Sequence, residues 1–454
     1  MRWTFVAATI TLLLPSVAVA QGAGRTPEQI REDSLTLGIR PLVGRLDLAR
    51  YKATILGLTK FGDRRQGTDR NRAAVDWIEA QLRSYGCTNT ERVRYVYNSR
   101  QLRNDSTNRV DSIARAASGL PPLPSRGRGA NPVASDSAGR GRGRGTTPVV
   151  NDSIVGGRGA GAPAPPPRVT NPVHGFTART GVNTNPDLQP DTALRRINAQ
   201  IDTPGPREEV FCTKVGKTHP EEMYIVGGHM DGHGFGSAAN DDGSGTALVM
   251  ELARVFSAPD VETAQSIRFV LWNNEETGLN GAHAYVDQRK DLQGKEDPVG
   301  SGKYPEPRWL GMIQHDMMLW DHGMPGPDGK VSPEQRREAD VNVEFAGTSK
   351  FADQAQKLAW FFRHANEKYA TDYPAAVGDR MSNTDSDPFK DLVPAISLRE
   401  NERLAHTGAG WNPTWHQPID VFATFSDQDF RLGLNAAQTT LGAIAQLTGA
   451  TIKK

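Results

Sequence analysis

The sequence predicts an α/β fold in which helices flank a mostly parallel central sheet. From residue 211 onward, short apolar segments alternate with amphipathic helical segments, as in chains that build strand–helix–strand units. The apolar segments are nearly continuous, which is typical of strands buried on both faces. Metal-capable side chains follow three of these segments directly, where the carboxyl ends of parallel strands form sites.

The predicted elements follow one another in a regular order. Strands are expected at MYIVGGH, IRFVLWN, WLGMIQHD and PAISLRE, and helices at GTALVMELARVF, GLNGAHAYVDQR, residues 349–369 and residues 427–447. Upstream, NRAAVDWIEAQLRSYG places Ala74, Trp77, Ile78 and Leu82 at helical spacing before Gly86, which predicts a surface helix. We assign residues 21–103 to an N-terminal helical part of the domain and residues 196–454 to its main part.

Residues 1–20 resemble a signal peptide. Arg2 precedes an apolar run from Phe5 to Leu14, and Ala18-Val19-Ala20 forms a small-residue cleavage site. The alternative, an uncleaved membrane anchor, is disfavoured because the run is short for a span. We therefore expect a secreted or periplasmic protein with no stable membrane insertion after cleavage.

Residues 104–195 are predicted to be a disordered, low-complexity insertion. No aromatic residue lies between Tyr97 and Phe176, and the middle of the stretch is rich in Gly, Pro, Ser and Arg. An arginine-rich nucleic-acid segment is the alternative, but it would need aromatic side chains to stack on bases. The formal net charge of +1 also gives no reason to expect a nucleic-acid partner.

The two cysteines, Cys87 and Cys212, each lie near a strand-like segment, TERVRYVY and EEVFCTKV. They could pair in an oxidising compartment, and the sequence leaves a disulfide and two free thiols equally open. A zinc–cysteine site is not expected, because such sites usually show paired, closely spaced cysteines.

The segment GGHMDGHGFGSAANDDGSG combines histidines and aspartates with glycines that allow sharp turns. For Asp242 or Ser244 alone, a helix cap is a sufficient explanation. His229 and Asp241 together favour a metal site. His229 and His233 are four residues apart, as in a helical HExxH zinc motif, but the glycines around them argue against a helix there.

Two further segments carry acidic groups. WNNEETGLNG places Glu275 and Glu276 side by side after a strand, where one can bind a metal while the other acts as a base. An acidic helix start is the alternative explanation for the pair. Asp316 ends the following strand.

Five motifs follow one another along the chain: GGHMD, ANDDGSG, NNEETGLNG, MIQHDM and NPTWHQPID. In content and order they resemble those of the di-zinc exopeptidase family, which includes bacterial leucyl aminopeptidases, plasma glutamate carboxypeptidase-like enzymes and glutamate carboxypeptidase II. The resemblance implies two zinc ions, one bound by His229 and Asp316 and the other by Glu276 and His416. Asp241 would bridge both ions.

The same resemblance implies roles for the neighbouring residues. The peptide bond between Asp241 and Asp242 would be cis, Asp231 would orient the histidine at 229, and Glu275 would be the general base. TDSDPF matches a pocket-lining stretch of the family, with Asp385 as a substrate-binding acid. The chain departs from the family there, since it is one residue shorter before VPAI and lacks the usual histidine.

The implied function is hydrolysis of peptide bonds at a free terminus, with an aminopeptidase as the first expectation. A metallo-carboxypeptidase or dipeptidase is the alternative, because Arg399 could hold a substrate carboxylate. A one-zinc transferase like glutaminyl cyclase and a metal-free binding module like transferrin receptor are further alternatives within the fold. The number of bound zinc ions separates these classes.

Overall fold

The computed structural model describes residues 27–97, 182–323, 330, 332–400 and 412–453, with side chains from residue 35 onward. The predicted signal peptide and residues 98–181, which include residues 104–181 of the predicted insertion, lie outside this part of the chain. In the described part, the helices are α1 (Pro27–Val43), α2 (Leu48–Thr59), α3 (Asp69–Ser84), α4 (Thr192–Asn198), α5 (Gly243–Phe256), α6 (Asn280–Arg289), α7 (Ala352–Tyr369) and α8 (Asp427–Leu447).

One large mixed sheet organises the fold. Its strands are β1 (Glu91–Val96), β2 (Pro206–Lys214), β3 (His219–His229), β5 (Gln265–Trp272), β6 (Arg308–His315), β7 (Val341–Phe345), β8 (Ala375–Gly378) and β9 (Ala395–Arg399), in the order β1-β2-β5-β3-β6-β9-β7-β8. A second small sheet pairs β4 (Val261–Glu262) with β10 (Thr451–Ile452).

The four central strands, β5, β3, β6 and β9, are all parallel, whereas β2 on one side and β7 on the other pair with them antiparallel. At the edges, β1 is antiparallel to β2 and β8 is parallel to β7. The predicted fold class is therefore confirmed, with antiparallel edges added. The short strands β7 and β8 are absent from the sequence prediction. Polar Asn342 and Glu344 are buried within β7 and interrupt the apolar run by which the other strands were recognised.

Side chains of the central strands alternate between two cores. One face of the sheet packs against α5, α8 and the N-terminal helices, where Val226, Phe269 and Ile313 are fully buried. The other face carries an aromatic cluster in which Trp272 and Tyr285 meet edge to face. Helices on both faces leave the carboxyl ends of β3, β5 and β6 together at one edge of the sheet.

Residues 182–195 differ from the prediction that the insertion extends to residue 195. This stretch carries a short 3-10 helix, Pro186–Leu188, and the start of α4. Gln189 anchors it, because the side-chain amide donates to the carbonyl oxygens of Phe235 and Pro418 at 2.8 and 2.9 Å. A buried amide thus helps to fix a segment whose composition alone favours disorder.

Cys87 and Cys212 form a disulfide with a Cα–Cα distance of 6.0 Å, which settles the question that the sequence left open. Cys87 follows α3 and Cys212 lies within β2. Both cysteines are buried in the core between the sheet and the helices. Within the described ranges, no helix is long and apolar enough to cross a bilayer.

Replacing both cysteines with serine should lower the free energy of unfolding by about 2–5 kcal/mol, because the disulfide closes a long loop in the unfolded chain. The separation of 125 residues between the cysteines puts the purely entropic expectation near the top of that range. Denaturant unfolding of the wild type with and without dithiothreitol gives the comparison. An equal free energy of unfolding in the oxidised and reduced wild type would contradict this expectation.

Candidate metal centre

The structure brings the five predicted ligands together at the edge where the central strands end. His229 is the last residue of β3, Asp316 directly follows β6, and Glu276 lies in the loop after β5. Asp241 lies just before α5, and His416 reaches the same place from the loop before α8. All five side chains are almost completely buried.

Asp241 lies between two histidines. Its Oδ1 is 3.3 Å from Nε2 of His229, and its Oδ2 is 3.0 Å from Nε2 of His416. Nε2 of His229 is also 3.7 Å from Oδ1 of Asp316, and Nε2 of His416 is 2.9 Å from Oε2 of Glu276. The five side chains therefore divide into two groups that share one carboxylate.

These distances fit two metal ions. Ligand atoms about 2.0–2.2 Å from a tetrahedral zinc ion lie about 3.3–3.6 Å from one another, and the two histidine contacts of Asp241 measure 3.3 and 3.0 Å. Oε1 of Glu276 is buried and has no hydrogen-bond partner among the described residues. Imidazole and carboxylate are the ligand types that zinc prefers in catalytic sites.

The electrostatics of the cluster favour positive charge. Burial lowers the pKa of His416, but Glu276 and Asp241 outweigh this and raise it to about 9. The pKa of His229 is likewise raised well above its usual value, with Glu275, Asp241 and Asp316 overcoming the effect of burial. The carboxylates thus create a potential in which a bound cation is stabilised.

Asp231 contacts the cluster differently from the prediction. Nδ1 of His229 lies 3.0 Å from the backbone carbonyl oxygen of Asp231, whereas the nearest carboxylate oxygen is 3.8 Å away. That carboxylate instead accepts a hydrogen bond from the backbone N–H of Glu275 at 3.0 Å. Asp231 therefore orients the histidine through its main chain and positions the Glu275–Glu276 loop through its side chain.

Asp242 connects three parts of the site. One carboxylate oxygen accepts from the backbone N–H of His229, and the other accepts from those of Gly245 and Met317. It caps α5, as the sequence suggests, and also fixes the segments that carry the histidine at 229 and Asp316. The peptide bond from Asp241 to Asp242 is cis, as the resemblance implies.

Two residues outside the predicted set hold the loop between β3 and α5. The buried guanidinium of Arg64 donates to the carbonyl oxygens of Met230, Ser237 and Ala238 at 2.7–2.8 Å. The carboxylate of Asp420 accepts from the backbone N–H of Asp241 at 3.1 Å. No local pattern in the sequence marks Arg64, because it acts on backbone groups that are distant along the chain. Asp420 is the last residue of the motif NPTWHQPID, which is the signal that could have identified it.

Glu275, the predicted general base, is buried beside the cluster. One of its carboxylate oxygens, a ring nitrogen of His229 and one oxygen of Asp316 all lie within 4.8 Å of one another. Burial raises the pKa of Glu275 well above its usual value; His229 opposes this, and the charge of Asp385 adds to it. A carboxyl with a raised pKa is suited to accept a proton near neutral pH.

Asp385, the predicted substrate-binding acid, has no exposed surface. Its Oδ2 accepts a hydrogen bond from Gln314 at 3.3 Å. Asp385 lies near enough to Glu275 for its charge to raise the pKa of that carboxyl, and its contact with substrate remains a prediction.

Arg399 and His233 also belong to the site. Nη2 of Arg399 is 2.7 Å from Oδ2 of Asp316, so this guanidinium is paired with a predicted ligand. Nε2 of His233 lies 3.0 Å from Oε2 of Glu276. The sequence suggests His233 only as part of a helical zinc motif, which the surrounding glycines argue against.

Comparison with known proteins gives partial matches. Aminopeptidase YwaD of Bacillus subtilis (strain 168) is 38% identical over 81 residues, which are 18% of this chain and 17% of that protein. Carboxypeptidase Q of Xenopus laevis is 36% identical over 76 residues, 17% and 16% of the two chains. A probable zinc metalloprotease of Pyricularia oryzae is 28% identical over 286 residues, 57% and 55% of the two chains.

The chain thus spans less than a fifth of the length of the first two relatives and about half of the third. Among solved structures, LapB from Legionella pneumophila superimposes with a TM-score of 0.51 and 14% identity over 95% of this chain and 83% of that one. This similarity supports the fold.

The model of Peptidase family M28 matches residues 209–437, about half of the chain. The matched region contains all five predicted ligands and Glu275. The resemblance seen in the sequence motifs is therefore confirmed, and the chain belongs to peptidase family M28.

Proposed function

We propose that this protein is a zinc-dependent exopeptidase that binds two zinc ions and removes residues from the free amino terminus of peptides. The observation that carries the proposal is the position of Asp241, whose two carboxylate oxygens face two different histidines. A carboxylate placed in this way is suited to bridge two ions.

The two ions would be held by side chains in two groups of three that share Asp241. His229 and Asp316 complete one group, and Glu276 and His416 complete the other. When bound, a pair of zinc ions polarises the scissile carbonyl and lowers the pKa of a water molecule.

Glu275 supplies the proton transfers. Its carboxylate accepts a proton from the attacking water as the oxygen–carbon bond forms, and it then donates that proton to the amide nitrogen as the carbon–nitrogen bond breaks. The hydrogen bond from the Glu275 N–H to Asp231 fixes the backbone from which this side chain projects.

The choice of the amino terminus rests on Arg399. A carboxypeptidase needs a cation for the terminal carboxylate of its substrate, but this guanidinium is 2% exposed and paired with Asp316. The acidic groups around Glu275 favour a positively charged amine instead. The first relative is named an aminopeptidase and the second a carboxypeptidase, so a carboxypeptidase or dipeptidase remains the alternative.

We further propose that the protein is exported to the periplasm or the medium. The signal-like residues 1–20 support this, and so does the disulfide between Cys87 and Cys212, because structural disulfides persist in oxidising compartments.

Cleavage should depend on a free amino terminus. We expect liquid chromatography with mass spectrometry to show release of the first residue from unmodified peptides, and no cleavage of the same peptides after amino-terminal acetylation. Peptides amidated at the carboxyl terminus serve as the control and should be cleaved normally. Equal cleavage of acetylated and free peptides would refute the aminopeptidase assignment.

Replacing Glu275 with Gln should lower kcat by about 10²–10⁴-fold, since general-base catalysis contributes roughly that much. Zinc content should be unchanged, because the proposed ligands remain. Glu221→Gln is the matched control, at a side chain that is 39% exposed. A Glu275→Gln variant with full activity and full zinc content would rule out the general-base role.

Substitutions of the proposed ligands should remove the two zinc ions selectively. We expect plasma mass spectrometry to find about two zinc ions per wild-type chain and about one in His229→Asn, with Asp241→Asn weakening the binding of both. His219→Asn, at an exposed histidine, should keep the wild-type content. One zinc ion in the wild type would instead point to the one-zinc transferase class.

A further inference from the structure

A third histidine, His233, lies beside the group formed by Asp241, Glu276 and His416. Its side chain is 12% exposed, and its Nε2 is 3.0 Å from Oε2 of Glu276. The imidazole rings of His233 and His416 meet edge to face with centroids 4.0 Å apart. This residue is absent from the ligand set that the motifs predict.

The position of the His233 nitrogen is that of a ligand. Oε2 of Glu276 is equally close to Nε2 of His416, at 2.9 Å, and to Nε2 of His233, at 3.0 Å. The His233 nitrogen is buried, and the carboxylate of Glu276 is the group that it faces. Three ligand atoms that converge in this way can surround one cation.

The flanking glycines allow this position. A Cβ on Gly232 would lie 2.5 Å from Cβ of Ala238 and 2.9 Å from the carbonyl oxygen of Asp241. A Cβ on Gly234 would lie 2.3 Å from the backbone of His416, and the φ of Gly234 is +97°. The loop is therefore packed closely between the segments of two predicted ligands.

We propose that His233 is an additional ligand of the ion held by Asp241, Glu276 and His416. This inference rests on the proposed two-metal centre. The ion would then have four protein ligands, two imidazoles and two carboxylates, as in a closed structural site. The ion held by His229, Asp241 and Asp316 would keep three protein ligands and the open position that substrate chemistry requires.

The closed group should bind its ion more tightly than the open group. A His233→Asn variant should therefore bind one of the two ions at least ten-fold more weakly and leave the other unchanged. Metal affinity alone does not show whether His233 binds the ion or only orients a residue that does. Replacing a residue of either kind lowers metal affinity by about 10–100-fold. A count of bound imidazoles does distinguish them.

The deciding measurement is proton NMR of the full-length protein loaded with Co²⁺. Each bound imidazole gives one strongly shifted, exchangeable N–H resonance, so we expect about three in the wild type and about two in His233→Asn. The control His364→Asn, at a histidine that is 60% exposed on α7, should keep all of them.

The two proposals can fail separately. Two shifted resonances in a wild-type protein that binds two ions would overturn the role of His233 and leave the metal centre intact. A wild-type protein that binds no ion would overturn the proposed function itself. Because the wild-type count is decisive, the test does not depend on the folding of a variant.

Discussion

The carboxylate of Asp242 holds together segments of the chain that share no secondary-structure element. It accepts hydrogen bonds from the backbone at the end of β3, at the start of α5 and just after β6. These are the places where His229, Asp241 and Asp316 are attached. Because each of these donors is buried, losing its acceptor would cost about 1–3 kcal/mol per group, and the geometry of the cluster depends on this one side chain.

The same region contains many negatively charged side chains and several residues with positive φ angles. Glu276 keeps a pKa lowered to about 2 despite its burial, because His233 and His416 face it. Positive φ angles occur at Asn274, Met317 and His416, each of which is a proposed ligand or lies within two residues of one. Such conformations are costly for residues other than glycine and persist where surrounding contacts enforce them.

The sequence predicts most of the fold and the composition of the cluster, for reasons that differ between residues. His229, Asp241, Glu276 and Asp316 each follow or precede an apolar strand or helix, so chain position and residue type both point to them. His416 lies in a loop with no such pattern, and only the resemblance identifies it.

The sequence prediction falls short in two situations. In one, the residue is identified but the atom that makes the contact is not, and in the other the contact is made with backbone groups far away in the sequence. The sequence names Asp231 correctly as a neighbour of His229, but it does not reveal that the carbonyl oxygen, rather than the carboxylate, makes the contact. Arg64 acts on carbonyl oxygens about 170 residues away, so no local pattern marks it. Residues 182–195 have the composition of a linker, and the amide of Gln189 nevertheless anchors them.

The disulfide between Cys87 and Cys212 has a consequence for how the chain tolerates proteolysis. β1 and β2 are hydrogen-bonded neighbours, and residues 98–181 lie between them in sequence. A single cut in that stretch would leave two fragments joined by the disulfide, which would separate in denaturing electrophoresis only after reduction. The smaller fragment carries Arg64 and the larger one carries every proposed ligand, so the nicked protein would keep its metal centre only while the two pieces stay together.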